Sequence, residues 1–133
     1  MKTITKAWIK KAEGDYAVAE REINQDKAVY DIVCYHAHQS IEKYMKALLV
    51  ENGIDFDKIH DLENLSQKIS NIITFDDSEK DGFIWLTQFA IRVKYPGFDA
   101  TKKDAVKAVS LMQQYRTFFR NFFGLDNNDF FPD

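Results

Sequence analysis

The sequence predicts an all-α domain, an up-and-down bundle of four main helices with a short fifth, and three observations carry that reading. Apolar residues recur at three- and four-residue intervals over five segments. No segment alternates apolar and polar residues as a half-buried strand does. The connections between the segments are short, which favours antiparallel neighbours. At 133 residues the chain fits one domain, with a core of about residues 5–122 and a tail at 124–133.

The first helix is expected from about Thr5 to Ile23, where Trp8, Ala12, Tyr16, Ala19 and Ile23 share a face. The second, from about Val29 to Glu51, buries Cys34, Ala37, Ile41, Met45 and Leu48, and Asn52-Gly53 stops it. Tyr35, Gln39, Glu42 and Lys46 form a polar column at the edge of that stripe, with Glu42 and Lys46 spaced to pair. Asp61 is the expected N-cap of a short third helix carrying Leu62, Leu65, Ile69 and Ile72. A fourth helix begins near Ser78 or Glu79 and ends before Pro96, which disfavours helical backbone in the residue before it. Thr101-Lys102-Lys103-Asp104 reads as a capping box that opens the fifth, with Ala105, Val109, Met112, Phe119 and Phe122 on one side.

A hydrophobic content of 45% with 29% charged residues belongs to a globular chain, and no apolar run approaches the roughly 20 residues of a membrane span. One cysteine excludes an internal disulfide framework. With no signal peptide evident, the chain is read as cytoplasmic, without a membrane association. The net charge of −3 argues against nonspecific coating of DNA. It is unevenly distributed: Arg92, Lys94, Lys102, Lys103, Lys107, Arg116 and Arg120 form a basic segment, whereas acids gather at Asp76, Asp77, Glu79 and Asp81 and in the tail. Phe83 to Leu86, Phe89 to Ile91 and the pairs Phe118-Phe119 and Phe122-Phe123 exceed what a monomer core requires, so a homodimer interface is expected there, with Phe130-Phe131-Pro132 docking on it or fraying.

No glycine-rich phosphate loop, nucleophile elbow or HExxH is present, and neither a metal nor a cofactor is expected. His38 and Glu42 have the spacing of two metal ligands, but His38 borders the apolar stripe and is read as a hydrogen-bonded core residue. His60 is expected to close the turn into the third helix; as the side chain best suited to proton transfer it is also a candidate catalytic residue. Arg92-Val93-Lys94-Tyr95-Pro96 sets a guanidinium, an ammonium and a phenol before a rigid turn. Two readings are open for it. Either the cations bind a phosphate, or they satisfy the carbonyls at the helix end while Tyr95 packs under the turn.

Trp8, Ala12 and Asp15, then Gln39-x-x-Glu42-Lys43-x-x-Lys46-Ala47-Leu48-Leu49, then His60-Asp61-Leu62, then Arg92-x-x-Tyr95-Pro96 together resemble a HEPN domain, named for higher eukaryotes and prokaryotes nucleotide-binding. The resemblance covers about residues 5–122. It implies a usually dimeric bundle, often paired with a minimal nucleotidyltransferase in a two-component or toxin–antitoxin system. Many such domains are metal-independent ribonucleases that use an arginine followed four to six residues later by a histidine. Here Arg92 is followed by Val93, Lys94, Tyr95, Pro96, Gly97, Phe98, Asp99 and Ala100, and all three histidines precede it.

Two functional expectations result. The first is a noncatalytic dimeric module that binds a nucleotide or RNA through Arg92, Lys94 and Tyr95, with the Glu42/Lys46 column beside them, and partners a nucleotidyltransferase. The second is a ribonuclease with an altered site, in which Arg92 stabilises the transition state and His60 or His38 enters from another helix. A purely structural dimer is the plainest alternative.

Overall fold

The computed structural model describes residues 1–126, which fold into helices α1 (Thr3–Ile23), α2 (Tyr30–Glu51), α3 (Leu62–Lys68), α4 (Asp77–Thr87) and α5 (Lys102–Phe122), with 3-10 turns at Gln88–Ala90 and Arg92–Lys94. The tail motif Phe130-Phe131-Pro132 lies outside the described residues. Helix α2 is the central element, packed against α1 and α5 and also touching α3, α4 and the 3-10 turns.

Cross-links between helices fix their directions. The start of α1 meets the end of α2, where Thr5 Oγ1 donates to Glu51 Oε1 at 2.7 Å, so the two are antiparallel. Asp31 at the start of α2 accepts from the Ala100 amide at 2.7 Å, and Tyr44 further along accepts from Arg120 at 3.2 Å, so α5 runs parallel to α2. Tyr115 Oη donates to the Glu79 carbonyl at 2.9 Å and Lys107 lies over the Trp85 ring, which makes α4 antiparallel to α5. The four longer helices therefore run up, down, up and down, with α3 inside the crossover.

The expected caps form. Asp61 accepts from the Glu63 and Asn64 amides, and Thr101 and Asp104 make the reciprocal bonds of a capping box. Gly53, at φ +66°, takes the left-handed conformation that ends α2 without the penalty a Cβ would impose. Helix four starts within a residue of the expected Ser78 but ends earlier than expected. It starts from Asp76, whose carboxylate accepts from the Glu79 amide at 2.7 Å while the Glu79 carboxylate accepts from the Asp76 amide at 2.9 Å. It stops at Thr87, well before Pro96: Thr87 Oγ1 donates back to the Phe83 carbonyl at 2.8 Å and accepts from the Leu62 amide at 3.1 Å, and the chain tightens into 3-10 turns.

Much of the apolar surplus in α4 and α5 is consumed inside the domain. Phe83, Leu86, Phe89 and Phe119 are buried, and Phe75, in the α3–α4 connection, packs against Phe83, Phe118 and Phe119 with centroids 5.0–6.2 Å apart. Gly82 makes room for this packing, since a Cβ there would sit 1.9 Å from Tyr115 Oη. Ile84, Ile91 and Phe122 remain exposed. Cys34 is a buried core residue as expected, and burial pushes its thiol up to about 12, far from thiolate reactivity. No helix among the described residues is long and apolar enough to cross a membrane.

Candidate functional site

The polar column of α2 divides into two parts with different surroundings. Glu42 and Lys46 are buried, at 3% and 7% exposure, and their charged atoms are spent on neighbours. Glu42 Oε2 accepts from Lys46 Nζ at 3.0 Å and Oε1 from His60 Nδ1 at 2.8 Å. The Lys46 ammonium also lies 5.7 Å from the Trp8 ring centroid and 5.6 Å from that of Phe56. These contacts pin the loop between α2 and α3 to the centre of the bundle, so the pair braces the fold and does not offer itself to a ligand.

His60 is held from two sides. Besides the Glu42 bond, its carbonyl accepts from His38 Nε2 at 2.8 Å, while its imidazole keeps a side-chain exposure of 54%. His38 is the core histidine the sequence suggested: fully buried, donating from Nε2, and held below its ordinary pKa because burial disfavours the imidazolium. Its Nδ1 has no hydrogen-bond partner among the described residues. Among the described residues, no group of three or more His, Cys, Asp or Glu is placed to hold a metal ion.

Tyr35 and Gln39, the outer part of the column, are half-buried and joined by a 2.7 Å bond from Gln39 Nε2 to Tyr35 Oη. Tyr35 is where the column meets the second predicted motif: Lys94 Nζ lies 5.6 Å from its ring centroid. Arg92 stacks on Phe98 at 4.7 Å and donates to Gln88 Oε1 at 3.2 Å. Both cations thus stand on aromatic faces in the 3-10 segment after α4. Tyr95 is 63% exposed, so it does not pack under the turn. The extended backbone at Tyr95, imposed by Pro96, turns the ring outward. The structure brings Lys94 to Tyr35 but leaves Glu42 and Lys46 about two to three helical turns further along α2.

The basic segment of the sequence does not survive as one surface. Arg116 and Arg120 point into the core, at 8% and 0% exposure, where Arg116 Nε and Nη2 donate to the two Glu13 oxygens at 2.8 and 2.7 Å and Arg120 Nη1 lies 3.5 Å from Glu13 Oε1. Arg116 also stacks on Tyr16. These two arginines tie α1, α2 and α5 together and are withdrawn from any anion outside.

Sequence reasoning missed a third cluster, on the outer face of α2. Asp15 of α1 is nearly buried and accepts from His36 Nδ1 at 2.7 Å and from Lys43 Nζ. His36 and Lys43 are seven residues apart and therefore within about 20° on the helix, the one signal that foreshadows their meeting. Beside them runs a shallow groove of about 550 Å³ lined by Ala7, Lys10, Lys11, Gly14, Asp15, Val18 and Lys43. A neighbouring groove adds Ile4 and Trp8 to Ala7, Lys11 and Lys43.

Comparison with known proteins agrees with this architecture. The crystal structure of TT1696 from Thermus thermophilus matches at a TM-score of 0.79 and 17% identity, covering 90% of this chain and 98% of that one. The crystal structure of ST0689, an archaeal HEPN homologue, matches at 0.72 and 21% identity, covering 92% and 98%. No curated protein matches. The HEPN domain family model matches residues 5–122, nearly the whole described bundle, and the chain belongs to the HEPN domain family.

Proposed function

We propose that this chain is a noncatalytic HEPN module that binds the phosphate of a nucleotide or RNA through Arg92, Lys94 and Tyr95, acts as a homodimer, and partners a minimal nucleotidyltransferase in a two-component or toxin–antitoxin system. One observation carries the phosphate reading: Arg92 and Lys94 are each backed by an aromatic face, 4.7 and 5.6 Å away, in a short turn where Tyr95 stands exposed to solvent. Neither cation is in an ion pair with a carboxylate among the described residues. Cations held on rings lose less freedom when they meet a phosphate, and an exposed phenol is a stacking face for a base. Glu42 and Lys46 support the site from within by fixing α2.

The test is binding of labelled nucleotides and short RNAs to wild type and to Arg92→Ala/Lys94→Ala. Loss of two charge-assisted contacts, each worth about 1.5–3 kcal/mol, should weaken binding by at least tenfold. Equal affinity of variant and wild type, or no saturable binding by either, rejects the proposal. Co-purification with a cognate nucleotidyltransferase tests the partner.

The Glu42–His60 contact favours one second reading, a metal-independent ribonuclease in which the carboxylate holds the imidazole in the tautomer that leaves Nε2 free to take a proton. That reading requires RNA cleavage without metal that disappears in both His60→Ala and Arg92→Ala. A wild type that binds RNA without cutting it supports the binding module instead.

A further inference from the structure

We propose that the outer face of α2 and the groove beside α1 form a second phosphate-binding surface, and that the ligand spanning it and the Arg92–Tyr95 segment is single-stranded RNA. This rests on the phosphate reading above and extends it from one contact to a track.

Three observations carry the track. The first is continuity. Lys94 stands over Tyr35, the Tyr35 ring meets His36 edge-on at 5.4 Å, and His36 shares Asp15 with Lys43, whose side chain lines both grooves on α1. Tyr35, His36, Gln39 and Lys43 are all partly exposed, so the strip between the two ends is open to a ligand.

The second is charge. Residues 1–12 carry Lys2, Lys6, Lys10 and Lys11 and no acid, and all four lysines are exposed. No acid stands in the first turn of α1 to offset them. Lys2 donates to the Val50 carbonyl at the end of α2, at 3.1 Å, whereas Lys10 and Lys11, beyond the second turn of α1, stand beside the groove where their side chains would attract a polyanion. Lys10 and Lys11 have no ion-pair partner among the described residues, and Asp15, the one acid in the groove, is already occupied by His36 and Lys43.

The third is span. Tyr35 to Lys43 is eight helical residues, about 12 Å along the axis. A single nucleotide cannot touch both ends, but a stacked strand rising about 3.4 Å per nucleotide covers the distance in about four. Tyr35, Trp8 and Tyr95 are spaced along the band as partly or fully exposed aromatic faces, the pattern of a single-strand track in which bases stack and lysines follow the backbone. A closed duplex would hide those bases from the rings.

The test uses the full chain, labelled uridine monophosphate and a labelled oligouridylate ladder, titrated at several salt concentrations. Affinity should rise with length up to about four nucleotides and then level. Lys10→Ala/Lys11→Ala, in exposed helix positions where alanine is well tolerated, should weaken the long oligomers at least tenfold and lower the salt slope by about 1.4, at about 0.7 per phosphate contact. Binding of the mononucleotide should be unchanged. If the lysine variant binds long oligomers with wild-type affinity and slope while Arg92→Ala/Lys94→Ala does not, the track is wrong and the first contact stands. If duplex RNA binds as tightly as the single strand, the single-strand assignment is overturned. Self-association that depends on Lys10 and Lys11, with no length dependence for RNA, would make this face a protein interface and overturn the inference. Absence of any nucleotide or RNA binding by wild type overturns both proposals.

Discussion

Replacing Glu13 by glutamine should be among the most damaging isosteric changes available in this domain. Glu13 is 3% exposed and sits where α1, α2 and α5 meet; its two oxygens take Arg116 Nη2 at 2.7 Å, Arg116 Nε at 2.8 Å and the Tyr44 hydroxyl, with Arg120 Nη1 3.5 Å away. The hydrogen bond to Glu13 raises the Arg116 pKa, and although that support goes with the carboxylate, a guanidinium does not deprotonate in a protein and stays charged in the variant. Burial holds the Tyr44 phenol well above its ordinary range, so it remains a donor. Removing one member of a buried ion pair costs about 3–5 kcal/mol, and the amide oxygen, which still accepts one bond, places the loss near the lower bound. Against a total stability of about 5–15 kcal/mol, that removes a large share of it. Urea unfolding followed by far-UV circular dichroism should show the midpoint fall by at least about 1 M, given m values of about 1–3 kcal/mol/M. Tyr44→Phe, which deletes a hydroxyl that donates to Glu13 and accepts from Arg120, should cost about 1–2 kcal/mol and couple to Glu13→Gln in a double-mutant cycle by more than about 0.5 kcal/mol. A loss below about 1 kcal/mol for Glu13→Gln, or strict additivity of the pair, would refute the view that this network holds the three helices together.

Two further changes test the fold near the candidate site. His38 titrates below its ordinary 6.5 because of burial, opposed by Glu42 and by the bond to the His60 carbonyl, with His60 and Lys46 also facing it. The unfolded chain therefore takes up a proton near pH 6.5 that the folded one refuses, and His38 should cost stability as pH falls below that value, by up to about 1.4 kcal/mol per pH unit. His38→Gln should flatten that part of the stability profile measured by denaturant unfolding. Thr101→Ala removes the side chain that accepts from the Asp104 amide at 3.1 Å and should cost about 1 kcal/mol in the same measurement, without altering nucleotide binding.

The helices were legible because periodicity and caps are local properties. Asp61 and Thr101 announce their helices by residue type and spacing alone, and the Cys34–Leu48 stripe is buried as its angles require. The end of α4 was not legible, because Thr87 stops it through a bond to Leu62, twenty-five residues away, that no window of sequence contains. The same limit governs the site. Arg92 and Lys94 were found from their position before Pro96, yet their aromatic supports, Phe98 and Tyr35, lie on different elements, and only folding joins Lys94 to Tyr35. Arg116 and Arg120 read as surface cations in a basic stretch, and Glu13, more than a hundred residues earlier, draws them inward.

Net charge misleads here for a physical reason. Several of the chain's acids are spent inside the fold: Glu13 on two arginines, Asp15 on His36 and Lys43, Glu42 on Lys46 and His60. Others, Asp61, Asp76, Glu79 and Asp104, are committed to helix starts. These pairs also consume Arg116, Arg120, Lys43 and Lys46, so they leave the rest of the chain no less negative; the face bearing Lys10, Lys11, Lys94 and Arg92 is locally positive because residues 1–12 hold lysines and no acid, and because neither Arg92 nor Lys94 pairs with a carboxylate among the described residues. One internal pair borders that face, the one between Asp15 and Lys43. Asp15→Asn should free Lys43 and make the groove more positive, tightening oligouridylate binding at low salt while destabilising the α1–α2 contact. Weaker binding by that variant under conditions where it remains folded would show that Asp15 positions Lys43 for the ligand, and that charge alone does not make the site.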